Sequence, residues 1–361
     1  MLNLKNYLSE IEGLDQESLD QALNHWDHLT HPIGSLGQLE ETTIRLAGIQ
    51  KRPIPKLEKK TIIVMCADSG VFEEDISSSP QEFTQMLANI MVDGRTGVCS
   101  LASYAKSDVD VVNIGMLETM DQDPRIIQKS VRVSSNNFTQ EPALTEEEVL
   151  RGIQVGIEVA EERISQGYDI LGTGELGIAN TTTSSAVLHL MTDLSVEEAV
   201  GLGAGIDEDQ FARKKRIIKE AKERYQKDPD DVIGILAAVG SLDIVGLVGV
   251  FLAGAKNRVP VVIDGLISSV AALCAARLEP KARDYMFASH LSREVASAKI
   301  LDFLGLKAPV HLDMRLGEGS GCPFTFLILE AGIHCMENMG VFENTNIDHH
   351  VQVNIRDKQD D

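Results

Sequence analysis

Between Thr61 and Leu312 the chain alternates two textures: short apolar runs that end in Gly or Asp, and longer stretches with apolar positions every three or four residues. The short runs are Thr61–Ala67, Val109–Gly115, Tyr168–Gly172, Val259–Ile263 and Val310–Leu312. They are largely apolar rather than alternating, as strands are when both faces of a parallel sheet are covered. The stretches between them have readable helix starts. Thr145 with Glu148, and Ser195 with Glu198, have the spacing of capping boxes, and Leu150, Ile153, Ile157, Val159 and Ala160 form the apolar stripe behind the first. Strand–helix alternation of this kind predicts an α/β fold with a doubly wound parallel sheet.

Both ends of the chain read differently. Leu8, Ile11 and Leu14, then Leu19, Leu23 and Trp26, recur at helical spacing; the stretch His31–Gly37 breaks the pattern and a further helix is expected from Leu39 to Ile49. Pro53 and Pro55 mark a boundary. Near the other end, Gly321 to Met339 reads as a buried helix, and Glu343 to Asp361 as a polar, loosely held tail.

Charge and composition narrow the function. A formal net charge of −22 argues against nucleic acid or an anionic membrane as the main partner. The longest apolar run, Ile244–Ala255, is shorter than the roughly 18 residues a membrane span needs. The first ten residues lack the apolar core of a secretory signal, and the five cysteines are scattered without a CxxC pair. That pattern points to reduced thiols in a cytoplasm, with no zinc site. His25, His28 and His31 lack acidic or thiol companions at metal-ligand spacing, so no metal and no cofactor are expected.

Candidate chemistry gathers where strands end. Met314-Arg315-Leu316-Gly317-Glu318-Gly319-Ser320-Gly321 follows one apolar run and sets a single carboxylate among glycines, which makes Glu318 the candidate general base. Leu171-Gly172-Thr173-Gly174-Glu175-Leu176-Gly177 follows another run and opens a helix, offering free backbone N–H groups to a phosphate and a second carboxylate, Glu175. Cys66-Ala67-Asp68-Ser69-Gly70 and Val262-Ile263-Asp264-Gly265 end two more strands in small or acidic residues, and the four ends are expected to converge on one crevice. Arg213-Lys214-Lys215-Arg216 is a basic cluster that could reach a phosphate, although most charge runs are solvated helix faces. Val200–Gly205 lacks both the preceding strand and the spacing of a dinucleotide loop.

Five segments in order, Gly34-Ser35-Leu36-Gly37-Gln38-Leu39-Glu40, Cys66-Ala67-Asp68-x-Gly70, Gly174-Glu175-Leu176-Gly177-x-Ala179-Asn180-Thr181-Thr182, Ile263-Asp264-Gly265 and Arg315–Gly321, resemble the nicotinate-nucleotide:dimethylbenzimidazole phosphoribosyltransferase family over roughly residues 20 to 340. The resemblance implies a Rossmann-like catalytic domain over 59–324 and a small helical domain built from 1–58 and 325–361, in a homodimer. It implies nicotinate mononucleotide as donor, 5,6-dimethylbenzimidazole as acceptor, and α-ribazole 5′-phosphate and nicotinate as products, in cobalamin synthesis. By motif position, Glu318 falls on the family's general base. Ser79, Glu175 and Leu176 fall beside the acceptor, and Gly177, Lys214, Gly265, Ser292, Leu316 and Gly317 on the phosphoribosyl side. Phe72, Leu87, Leu176 and Leu316 would supply an apolar slot for a flat methylated base. Ser69 stands where many relatives have histidine, and Leu87 where a polar residue is expected. Another benzimidazole, a purine or a phenolic compound therefore stays open as acceptor, and so does a non-catalytic nucleotide-binding homologue. A phosphoribosyl pyrophosphate enzyme is disfavoured because Val261–Gly265 carries one acid rather than two, and a dehydrogenase because no strand leads into GxGxxG.

Overall fold

The long apolar runs become the centre of a six-stranded sheet in a computed structural model that describes residues 3–203, 205–342 and 353–356. The strands are β1 (Lys60–Ala67), β2 (Asp108–Gly115), β3 (Ile127–Gln128), β4 (Ile170–Leu176), β5 (Val261–Ile263) and β6 (Met286–Ala288). All pairs are parallel and the order is β3-β2-β1-β4-β5-β6, so the direction of winding reverses between β1 and β4. At such a reversal the loops leaving neighbouring strands diverge, and a crevice opens at the carboxyl ends.

Every residue of β1 is buried, which accounts for its unbroken apolar run. Met65 faces the helix Leu242–Lys256, where a side chain on Gly246 would strike it. Ile62, three residues earlier and so on the opposite face, lies under the loop that leads into the helix Cys322–Asn338. Helices therefore cover both faces. The helix Glu146–Ser165 is opened by the Thr145–Glu148 capping box expected from the sequence, and packs on Leu242–Lys256 through Gly156 and Gly249.

The N-terminal helices Gln16–His28 and Gln38–Gln50 pack with the C-terminal helix Cys322–Asn338 around Ala22, Trp26, Leu29, Ala47 and Met336. The Trp26 indole N–H donates to Thr43 Oγ1 at 3.0 Å, so its one polar atom is satisfied in the core. Tyr7, Ile11, Leu46 and Ile49, from the same end of the chain, are part of the main core. Among the described residues no helix is long and apolar enough to cross a membrane.

Three expectations change. Val310–Leu312 is not a strand: Val310 makes one isolated bridge to His290, and Leu312 is exposed. The edge position is filled instead by Met286–Ala288, which follows a 3₁₀ turn over Pro280–Tyr285. The Ser195–Glu198 capping box is present, but the helix it opens is only Val196–Ala199. In the tail, Val353–Arg356 is held rather than loose. Ile33 exchanges backbone hydrogen bonds with Val353 and Ile355 at 2.9 Å each, and the Arg356 guanidinium meets Asp27 and Glu40 at 2.7 and 2.9 Å. The rest of the expected tail, Glu343–Asp361, lies outside the described residues.

Candidate active site

Three of the four expected exits converge, joined by His290 after β6; the exit of β1, Cys66–Gly70, does not line the cavity. Glu175 near the end of β4, Gly265 after β5, His290 after β6 and the loop Arg315–Glu318 all line one cavity of about 250 Å³. Ser79, Leu87, Leu176, Gly177, Ser292, Leu316 and Gly317 line it as well, so ten of the twelve expected site residues, Glu175, Gly265 and Glu318 among them, meet in one place.

The Glu318 loop lies directly across β4. A side chain on Gly174 would collide with the carbonyl of Glu318, so only glycine lets the loop approach the strand. Glu318 itself has φ +63°, a left-handed conformation that few side chains adopt without support. Its Oε2 accepts the backbone N–H of Val98 at 3.2 Å, at the first turn of the helix Gly97–Tyr104, where the helix dipole favours an anion. The residue is 8% exposed and faces the cavity.

Glu175 belongs to a buried polar chain. The Asn180 side-chain amide donates to Glu175 Oε2 and, at 2.9 Å, to Asp243 Oδ2. Asp243 in turn accepts from the Ser241 hydroxyl and, at 2.9 Å, from the Ile244 N–H. Burial pushes the Glu175 carboxyl up to about 8, with the Asp243, Asp264 and Glu318 carboxylates adding to the effect and the Asn180 hydrogen bond opposing it. Burial likewise raises Asp243, and lifts Asp264 to about 7 against the backbone N–H groups that it accepts. Burial thus favours the protonated form of Glu175, which makes the wall beside Glu318 less negative than its composition suggests.

Beyond Ser79 and Gly177 lies a smaller cavity of about 80 Å³ at the start of the helix Asn180–Met191. Lys214 lines it and is 1% exposed; its ammonium donates to Thr181 Oγ1 at 2.8 Å and to the Gly201 carbonyl at 3.2 Å. Burial lowers its pKa to about 8. Of the basic cluster only Lys214 turns inward. Arg213 pairs with Asp75 at 2.6 Å, Arg216 lies 3.9 Å from Glu220, and Lys215 sits over the Phe211 ring. A buried ammonium beside the positive end of a helix is a fitting receptor for a phosphate.

Phe72 is the exception to the convergence. It lies in the 3₁₀ turn Gly70–Glu74 and does not line either cavity; Phe83, at the start of the helix Phe83–Val92, lines the larger one. The turn is tied instead to Ser135, whose carbonyl accepts the Gly70 N–H at 3.0 Å. Ser69 is buried away from the cavity, and its hydroxyl has no partner among the described residues. The sequence reading missed Asn180, Asp243, Phe83 and Arg315 as site residues. Asp243 had a signal, since a carboxylate stands beside the longest apolar run. Among the described residues no group of His, Cys, Asp or Glu is arranged to hold a metal ion.

A profile described as phosphoribosyltransferase matches residues 11–347. The nicotinate-nucleotide–dimethylbenzimidazole phosphoribosyltransferase of Clostridium tetani is 40% identical over 356 residues, 98% of each chain. The chain belongs to the nicotinate-nucleotide–dimethylbenzimidazole phosphoribosyltransferase family. A further member of that family, from Alkaliphilus metalliredigens, is 43% identical over 347 residues, covering 96% of this chain and 99% of its own. The crystal structure of CobT from Thermus thermophilus superposes with a TM-score of 0.88 at 33% identity, over 92% of this chain and 99% of that one. The α/β fold, its parallel sheet and its packing of the N-terminal helices on the C-terminal helix are thus those of the phosphoribosyltransferase family.

Proposed function

We propose that this chain transfers the 5-phosphoribosyl group of nicotinate mononucleotide to 5,6-dimethylbenzimidazole, giving α-ribazole 5′-phosphate and nicotinate for the lower ligand of cobalamin. The observation that carries the reading is one cavity lined by Glu318, Glu175 and an apolar rim of Phe83, Leu87 and Leu176, adjoining a smaller one with a buried lysine.

In the donor, the ribose carbon C1′ is bonded to a positively charged pyridinium nitrogen. That bond breaks with its electron pair passing to the nitrogen, so nicotinate leaves without a proton donor. The unprotonated ring nitrogen of the benzimidazole supplies the pair for the new C1′–N bond. Its other nitrogen loses its proton to the Glu318 carboxylate. Attack from the face opposite the departing ring converts a β-linked donor into an α-linked product. Orientation supplies much of the rate in such a reaction, and a cavity bounded by two rigid strand ends is suited to it. Glu175, whose burial favours the protonated form, lowers the negative charge of the wall beside the acceptor. Lys214, with the N–H groups at the start of Asn180–Met191, would take the 5′-phosphate.

Incubation with nicotinate mononucleotide and a panel of bases, with products read by mass spectrometry, tests the proposal. An α-linked riboside phosphate of dimethylbenzimidazole with stoichiometric nicotinate is expected, and no transfer to any base would sink it. Leu87 in the cavity wall favours a second acceptor of the same shape, another benzimidazole, which the panel includes. The proposal extends to a homodimer, which light scattering on the eluted protein measures.

A further inference from the structure

We infer that Asp264 is the positioning residue that holds Glu318 in its base-presenting conformation; this rests on the reading of Glu318 as the proton acceptor. Asp264 follows β5 directly and is 3% exposed. Its two carboxylate oxygens reach the loop on the C-terminal side of Glu318. Oδ2 accepts the N–H of Gly319 at 3.1 Å and Oδ1 the N–H of Gly321 at 2.7 Å. No other side chain among the described residues accepts a hydrogen bond from this loop's backbone between Gly317 and Gly321.

The clamp is itself fixed. The Asp264 backbone N–H donates to Ser268 Oγ at 3.1 Å, and Ser268 Oγ shares a hydrogen bond of 2.6 Å with Thr173 Oγ1 in β4. Asp264 therefore ties the loop to two strands of the sheet. Space around it is closed, since a side chain on Gly321 would strike His290 and Ser289 and come within 2.9 Å of Asp264 Oδ1.

The need for a clamp is set by backbone conformation. Gly317, Glu318 and Gly319 have φ of +82°, +63° and +92°, three left-handed residues in succession. A glutamate held at such a φ is strained and persists only where its surroundings over-determine it. Two hydrogen bonds from the peptide groups beside it, accepted by a carboxyl group fixed at the end of β5, provide that. Gly319 N–H belongs to the peptide unit that carries the Glu318 carbonyl, so the Oδ2 bond acts on the ψ of Glu318 itself.

Asp264 touches the substrates in no step proposed above; its effect passes through the loop. The test is a double-mutant cycle in the full chain with Asp264→Asn and Glu318→Gln. Asparagine keeps the size but offers one acceptor and turns an N–H₂ toward the second amide. Asp264→Asn alone is expected to lower kcat ten- to hundredfold, with KM for nicotinate mononucleotide changed less than threefold. In the Glu318→Gln background the same change is expected to lower kcat less than twofold further, because the group it positions is gone. Equal losses in both backgrounds, or wild-type kcat in Asp264→Asn, would overturn the inference. A fully active Glu318→Gln variant would instead sink the reading of the base, and is a separate result. Should Asp264→Asn fail to fold, Asp264→Ser, which removes the second acceptor with less bulk, is run through the same cycle.

Discussion

A methyl group on Gly317 would come within 2.5 Å of Glu175 Oε1, so the residue before Glu318 is in van der Waals reach of the other carboxyl of the cavity. The two acids, 143 positions apart in the chain, are thus set against each other by a glycine whose φ of +82° is itself reserved for that residue type. Gly317→Ala should destabilise the protein by about 1–3 kcal/mol and lower kcat, read by thermal melting and steady-state kinetics. A variant with wild-type melting and turnover would mean that the loop has slack the geometry does not show.

Glu318→Gln should abolish most base transfer, with a loss of about 10²–10⁴-fold for removal of a general base, and leave the circular dichroism and melting temperature close to wild type. Near-normal turnover would take Glu318 out of the mechanism.

Lys214→Ala should raise KM for the nucleotide about ten- to hundredfold, the equivalent of roughly 1.5–3 kcal/mol for a hydrogen bond to a charged group, with KM for the base nearly unchanged. The opposite pattern would place the phosphate elsewhere.

The buried acids give a stability signature with a definite sign. Glu175 has its pKa raised from 4.5 to about 8 in the folded protein. Between those values the native state binds the proton and the unfolded chain does not, so this group's contribution falls as pH rises from about 4.5 to 8. Asp264 acts in the same direction between 3.8 and about 7. Glu175→Gln should therefore melt less far below its pH 5 value at pH 8 than the wild type does. Parallel melting curves for the two proteins across that range would contradict the burial of a proton-bearing Glu175.

Leu87→Gln should alter acceptor choice by about tenfold in relative kcat/KM, at the expense of the methylated base against unsubstituted benzimidazole, since a methyl contact in an apolar pocket is worth about 1–3 kcal/mol. Competition between the two bases, with products weighed by mass spectrometry, measures it. An unchanged ratio would remove Leu87 from the acceptor wall.

What could be read in advance follows the range of the forces involved. Lys60–Ala67 declares itself because burial on both faces leaves a nearly continuous apolar run, and Asp108–Gly115 through its buried second half, Val111–Gly115. Glu175 and Glu318 stand out because close backbone approach demands the glycines around them. Met286–Ala288 was not legible: three residues cannot show a period, and their strand character comes from pairing with Val261–Ile263. Phe72 is the slot residue expected from the sequence, but Phe83 takes that place in the cavity wall. The turn that carries Phe72 is tied to Ser135 through Gly70, a contact across 65 residues that local pattern cannot carry. Asp243 was visible as an acid beside an apolar run, but its partner Asn180 lies 63 positions away and only folding joins them.

The reversal of winding between β1 and β4 has a consequence for how such an enzyme can change. The cavity lining is dispersed from Ser79 to Glu318, over about 240 positions, and no contiguous peptide holds enough of it to be exchanged as a cassette. New acceptors must be reached by single replacements along the rim, while the strands beneath keep their register. A bound nucleotide, touching exits from both halves of the sheet, would act as a rivet across them and protect the entire domain against proteolysis at once.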